Sequence, residues 1–148
     1  MTVNYNTLGT SVPNWTLLQT ATPSAVATVT FSGLSGYAKY RVLSTVVSFA
    51  SGSGCALQLN GDSGSNYYIF GSASAGSTSA AITTTGATNT SFFAEIDQAL
   101  ILAPKSISGT NSGAAYGYGY KTTSVLSSIT IFAGTNFTAG SIYLLGAN

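Results

Sequence analysis

The chain has 148 residues, of which 45% are hydrophobic and 11% aromatic, so it is long enough to bury its own core and too apolar to be disordered. Charged residues make up only 5%, against about 25% in a typical soluble domain. Histidine is absent and there is a single cysteine, which excludes Ser-His-Asp and Cys-His catalysis and zinc sites built on those residues.

The charge balance also bears on the partners of the protein. A net charge of +1 with four basic residues does not supply the phosphate contacts that nucleic-acid binding needs. The longest apolar run, 99–103, is far shorter than the ~20 residues that cross a bilayer. We therefore expect neither nucleic acid nor a membrane as a partner, and no cofactor. Because so few ions leave little repulsion between copies, we favour a subunit of a permanent assembly over a monomer.

The first half of the chain shows the period-two alternation of strands. Residues 1–14 are interpreted as an N-terminal extension. Strands are then predicted at 15–20, 25–31, 37–49, 55–59 and 67–70. The turn residues Asn60-Gly61-Asp62 predict that the last two form a hairpin. The oxygen-rich segment 60–66 could bind calcium, but with its single carboxylate we favour a turn held by Asn and Asp side chains.

The second half begins with an unusual segment, 72–91, which is almost entirely Ser, Ala, Thr and Gly. So long a segment without bulky residues is either a mobile loop or an arm lying on a neighbouring subunit. Further strands are predicted at 91–102, with a break near Asp97, and at 115–120, 127–133 and 141–145. About nine or ten short strands without helices predict an all-β fold, a jelly-roll-like antiparallel β-sandwich forming one domain over 1–148.

Two pairs of charged residues have matching spacing. Glu95 and Asp97 lie two residues apart and so share one face of a strand, which is the minimal equipment of a glycosidase. Lys39 and Arg41 have the same spacing on another strand. We favour a set of cross-strand ion pairs among the four side chains over a catalytic pair.

The most distinctive local motif is Tyr-Gly-Tyr-Gly-Tyr at 116–120. Alternation places the rings of Tyr116, Tyr118 and Tyr120, here called the tyrosine row, on one face and leaves bare backbone on the other. The row is interpreted as a core or surface ladder, as a subunit interface, or as a platform that stacks sugar rings.

Three segments together resemble small tailed-bacteriophage virion proteins. The resemblance covers roughly 15–146 and rests on a Phe-x-Gly-Leu strand end, an Asn-Gly-Asp-x-Gly-x-Asn-Tyr motif and a closing Ala-Gly-Ser strand. These motifs occur here at 31–34, 60–67 and 139–141. In the family the closing strand ends in Leu-Tyr-Gly. In this chain Tyr143 precedes Leu144-Leu145-Gly146, so the closing motif is shifted.

The resemblance implies a β-sandwich located in the virion. It implies a non-enzymatic structural protein, either a trimeric capsid decoration (cement) protein that binds the major capsid protein, or the head of a tail fibre that binds host glycans. No Gly-Pro-rich shaft and no coiled-coil heptads occur in the sequence, which favours decoration. In that role uncharged surfaces would adhere to the capsid through many symmetry-related copies.

Overall fold

The computed structural model describes residues 14–52, 54–70, 76–83, 89–111 and 114–148. These residues form thirteen strands and no helix: β1 (Thr16–Ala21), β2 (Val26–Ser32), β3 (Lys39–Ser44), β4 (Val47–Phe49), β5 (Cys55–Leu59), β6 (Tyr67–Ile69), β7 (Ala80–Ala81), β8 (Asn89–Thr90), β9 (Phe92–Ile96), β10 (Lys105–Asn111), β11 (Ala114–Tyr120), β12 (Ser128–Ala139) and β13 (Ile142–Ala147). The predicted all-β class is confirmed. The strand number exceeds the nine or ten predicted, because β7, β8 and β10 were not predicted and the predicted strand 37–49 is the two strands β3 and β4.

All strand pairs are antiparallel and form two sheets. The seven-stranded sheet has the order β1-β13-β3-β9-β10-β11-β6. In the six-stranded sheet the long strand β12 is central, with β2 on one side and β5 and β4 on the other; β7 and β8 extend β5 and β4. This architecture is sandwich-like, as the alternation of apolar and polar residues predicts.

One core lies between the two sheets because alternate residues of each strand face inwards. Val42 and Leu144 represent the seven-stranded sheet, and Leu57, Ile129 and Ile131 the six-stranded one; all five are fully buried. Their outward neighbours are Ser, Thr, Gln or charged residues in many places, which gives each strand its alternating burial pattern. The alternation therefore sets which side chains remain for a functional surface.

Three local predictions are wrong. The predicted strand 37–49 is two strands in different sheets, because Ser44 and Val47 are both buried, which one alternating strand does not allow. The predicted strand 91–102 ends at Ile96, and Gln98, with φ of 62°, turns the chain. The predicted hairpin of β5 and β6 does not form, since β5 pairs with β12 and β7 whereas β6 pairs with β11.

The segment 72–91 is described only in part, and 72–75 and 84–88 lie outside the described residues, as does 1–13 of the predicted N-terminal extension. In the described part, Ala80 and Ile82 are fully buried in the chain's own core, and β7 pairs with β5. This part therefore packs on its own domain, because Ile82 supplies the apolar anchor that the neighbouring small residues lack.

Candidate functional site

The tyrosine row lies on the inner face of the seven-stranded sheet. Tyr118 and Tyr120 are 8% and 1% exposed, and the half-buried Tyr116 donates its hydroxyl to Phe93 O (2.6 Å). Burial raises the pKa of Tyr116. Two of the three rings are therefore buried within the described chain, which argues against an exposed sugar platform and favours the core-ladder interpretation.

The outer face of the same motif is covered by two aromatic rings that sequence reasoning missed. β6 pairs with β11 so that Tyr68 lies opposite Gly119, and the Phe70 ring lies over Gly117. A glycine without a side chain leaves room for a ring from the neighbouring strand. The alternation of Tyr68 and Phe70 with the buried Tyr67 was the available signal.

A shallow groove of about 450 Å³ opens at this edge of the sheet. It is lined by Ile69, Phe70, Ala115, Tyr116, Gly117 and Tyr118. Ile69 and Phe70 are about half exposed, and no charged side chain lines the groove. The groove thus offers mainly apolar contact, and the hydroxyl of its lining residue Tyr116 is already bonded to Phe93 O.

The structure brings the four predicted charged residues together on the outer face of the seven-stranded sheet. Arg41 lies opposite Glu95 in the β3–β9 register, and its Nη2 is 2.6 Å from Glu95 Oε2. Lys39 Nζ is 2.7 Å from Asp97 Oδ1 and 3.8 Å from Glu95 Oε1. The hydrogen bond to Asp97 raises the pKa of Lys39. Both carboxylates are thus engaged by cations in what we call the ion cluster.

An aromatic stack continues the ion cluster along the same face. The Arg41 guanidinium carbon is 4.2 Å from the ring centroid of Trp15 and 5.6 Å from that of Phe93. Contacts of this kind are cation–π interactions. The stack was not predicted, because Trp15 reaches Arg41 only across the intervening strand β13.

The acid in the segment 60–66 is also engaged by the protein. Asp62 Oδ1 accepts a hydrogen bond from Gly64 N (2.7 Å), and Oδ2 accepts from Asn66, Tyr120 and Thr122 at 2.8, 2.9 and 3.2 Å. These donors, Gly64 foremost, hold the pKa of Asp62 below its usual value. The carboxylate therefore organises the turn, the interpretation favoured over a calcium loop.

A buried lysine supports an exposed apolar loop between β9 and β10. Lys105 Nζ donates to Ile101 O (2.8 Å) and to Ala103 O, and burial lowers the pKa of Lys105. Above it, Leu100, Ile101 and Leu102 are 41%, 51% and 75% exposed. These three side chains, here called the aliphatic loop, form the most exposed aliphatic run of the described residues. The sequence placed them in a strand and so did not identify them as a surface.

Within the described part of the chain, no group of three or more His, Cys, Asp or Glu residues is placed to hold a metal ion. The lone cysteine, Cys55, is buried, and its burial raises the thiol pKa to about 11. Nor do the described residues include a helix able to span a bilayer. Compared with known proteins, the chain matches no family model and no curated sequence.

Proposed function

We propose that this chain is a structural protein of a bacteriophage virion, a trimeric capsid decoration protein that stabilises the head by multivalent adhesion. The observation that carries the proposal is the placement of charge: every charged side chain except that of Lys121 is paired or hydrogen-bonded within the fold, and an exposed aliphatic loop remains at the surface. A protein built in this way is suited to adhesion without ion desolvation.

All seven charged residues lie in the described part of the chain. The four members of the ion cluster bind one another, Asp62 is held by four donors, and Lys105 binds two carbonyls. Lys121 alone is without an ionic or hydrogen-bonded side-chain partner among the described residues, and its Nζ is 5.9 Å from the Tyr68 ring centroid. Docking of most of this surface would therefore not require the removal of water from unpaired ions.

The aliphatic loop gives such a surface its adhesive contact. Full burial of one Leu or Ile side chain contributes about 1.5–3 kcal/mol, and the hydrogen bonds of Lys105 to Ile101 and Ala103 fix the loop backbone before contact. Preorganisation of this kind lowers the entropy lost on binding. Three copies in one trimer would multiply the effect, because the second and third contacts form at high effective concentration.

The direct test is rebinding. Particles stripped of this protein are mixed with the purified chain, and both the bound fraction and the temperature of genome release are measured. We expect saturable binding and a higher release temperature. Wild-type protein that neither binds stripped particles nor raises their heat resistance would contradict the decoration role.

A variant locates the contact. Leu102→Ser removes the most exposed aliphatic side chain of the loop and should weaken rebinding by at least about tenfold, since ~1.4 kcal/mol per site corresponds to that factor. Leu17→Ser, on β1 and also more than half exposed, is the matched control and should rebind as the wild type does. Equal binding of both variants and the wild type would exclude the aliphatic loop as the docking surface.

The second candidate function is the head of a tail fibre that binds host glycans, and the stack of Trp15, Arg41 and Phe93 favours it. Sugar rings stack on exposed aromatic faces, and charged side chains beside them donate hydrogen bonds to hydroxyls. Trp15 is the only tryptophan of the chain, so its fluorescence reports on this face alone. A saturable emission change with host-surface glycans, lost in Arg41→Ala, would support this role; an unchanged spectrum would exclude binding at the stack.

A further inference from the structure

One edge of β2 faces away from β12 and is here called the open edge. β2 pairs with β12 and with no other described strand. Its residues 28–32 keep a regular register with β12, since the irregularity lies between Phe132 and Phe137. Among the described strands, β2 therefore has a strand partner on one side only, and its register with that partner is regular over 28–32.

The bonding pattern of β12 shows which groups of β2 face the open edge. Asn60, which directly follows β5, donates its N–H to Ser128 O (2.9 Å), so the backbone groups of Ser128 face β5. Successive residues of a strand direct their backbone groups to opposite sides. Those of Ile129 and Ile131 therefore face β2.

The register between β12 and β2 determines which residues of β2 face β12. Ile129 and Ile131 lie opposite Phe31 and Val29, whose backbone groups must then face β12. The N–H and C=O groups of Thr28, Thr30 and Ser32 consequently face the open edge. Ser32 O accepts a hydrogen bond from Gln19 Nε2 (3.1 Å), but no described residue binds the backbone of Thr28 or Thr30 on this side.

The other sheet edges of the described residues are irregular, short or bridged, whereas no described strand covers the open edge. β1 has an irregular register between Leu17 and Gln19, β6 is three residues long and bridged by Ser77, and β7 and β8 have two residues each. Soluble proteins block long edges with charge, proline, bulges or cover. β2, with the sequence VATVTFS, has no charge and no proline.

The sequence of β2 is complementary to itself in the antiparallel direction. A twofold axis at Val29 places Thr28 opposite Thr30 of a second copy, and Ala27 opposite Phe31 of that copy. Thr28 and Thr30 are the residues whose backbone groups face outwards, so both form the hydrogen-bonded pairs of the new ladder. Their exposed side chains would meet as Thr–Thr pairs, which stabilise neighbouring strands.

We infer that β2 pairs edge to edge with β2 of a second copy of this chain, joining two six-stranded sheets across a twofold axis. The inference does not depend on the virion role. A twofold contact is compatible with a trimer, because it then joins two trimers, so the assembly in solution contains an even number of chains of 15.0 kDa.

The test compares oligomeric masses by light scattering. The double substitution Thr28→Lys with Thr30→Lys places like charges opposite each other across the twofold axis and should halve the mass of the wild type. Thr110→Lys introduces the same side chain at another exposed strand threonine, on β10 inside the seven-stranded sheet, and should keep the wild-type mass. A wild type of one or three chains, an unchanged mass in the double variant, or an equal loss in Thr110→Lys would overturn the inference.

Amide hydrogen exchange tests the contact without any substitution. In the paired assembly the amides of Thr28 and Thr30 should exchange as slowly as those of Val29 and Phe31, and dilution should accelerate only the former two. Rapid exchange of Thr28 and Thr30 at every protein concentration would overturn the inference, even if the double variant failed to fold.

Discussion

At the scale of the residue, Asp62 connects its turn to the end of β11 and the residues that follow. Its hydrogen bonds to Gly64 and Asn66 close the turn, and those to Tyr120 and Thr122 join the turn to that strand end. Hydrogen bonds to a charged acceptor are stronger than neutral ones. The carboxylate therefore contributes to tertiary as well as local structure.

Asp62→Asn should lower the free energy of unfolding by about 1–2 kcal/mol at pH 7, since part of this charge-assisted bonding is lost at a partly exposed site. The folded-state pKa of Asp62 lies below its unfolded value, which is about 3.9. The stabilisation is thus fully present above pH ~4 and is lost as the pH falls through the folded pKa. Urea unfolding of the wild type and the variant at pH 7 and pH 2 measures the effect. The difference between their free energies of unfolding should be smaller at pH 2, and an equal difference at both pH values would contradict the prediction.

For Lys105 we predict an effect that is confined to the aliphatic loop. Lys105→Met removes the donors to Ile101 O and Ala103 O, but it also removes the cost of burying an ammonium group. The free energy of unfolding should therefore change by less than about 1 kcal/mol, while amide exchange in 100–103 becomes faster. Unchanged exchange in that segment would show that the lysine does not hold the aliphatic loop.

At the scale of the element, the glycines of adjacent strands β10 and β11 differ in what surrounds them. A Cβ at Gly109 would overlap the backbone oxygen of Phe93 and the hydroxyl end of Tyr116. A Cβ at Gly117 would meet only the ring of Phe70, which is about half exposed and can swing aside. Gly109 should therefore tolerate a side chain far less well than Gly117.

Gly109→Ala should consequently destabilise the protein by about 2–3 kcal/mol, because a backbone atom cannot move aside without disturbing the β9–β10 ladder. Gly117→Ala is the matched control, with an expected change within about 1 kcal/mol. Thermal unfolding of the two variants measures the difference. Equal melting temperatures would mean that the backbone of β9 moves aside at Phe93 and that the sheet is not tightly packed around Gly109.

The predictability of these elements follows from how much apolar signal each contains. β5, with Cys55, Leu57 and Leu59 on one side, was predicted at its exact limits, and equal spacing placed Lys39 and Arg41 against Glu95 and Asp97. β10 was missed because Ile107 is its only large apolar residue; it becomes a strand by pairing with β9 and β11. Pairing between distant strands is a tertiary effect that local alternation does not contain.

The candidate site was also only partly predictable, because it too depends on tertiary packing. The two faces of the tyrosine row follow from period two, but which face becomes the core depends on sheet packing. The aliphatic loop was read as the end of a strand because three aliphatic residues in a row are typical of a buried strand. The loop conformation depends on Gln98 in the left-handed region and on the bonds made by Lys105, and neither can be read from hydrophobicity.

At the scale of the whole molecule, the pairing of charges limits the electrostatic interactions of the protein to short range. The ion cluster pairs two cations with two anions, so its field falls off rapidly with distance. Interactions between separate charges weaken with salt, whereas paired charges within one fold have little effect on a partner. The surface is thus expected to associate through apolar contact.

This leads to a prediction for the proposed decoration role. Rebinding to stripped particles should change by less than about threefold between roughly 0.05 and 0.5 M sodium chloride, because few charges exchange their counterions on contact. Ammonium sulfate should strengthen the same binding, since excluded salts favour apolar burial. Titrations in the two salts measure both effects. A steep loss of binding in sodium chloride would show that charges on the partner, met by Lys121 or by an opened ion cluster, dominate the contact, and the adhesive mechanism would then be wrong.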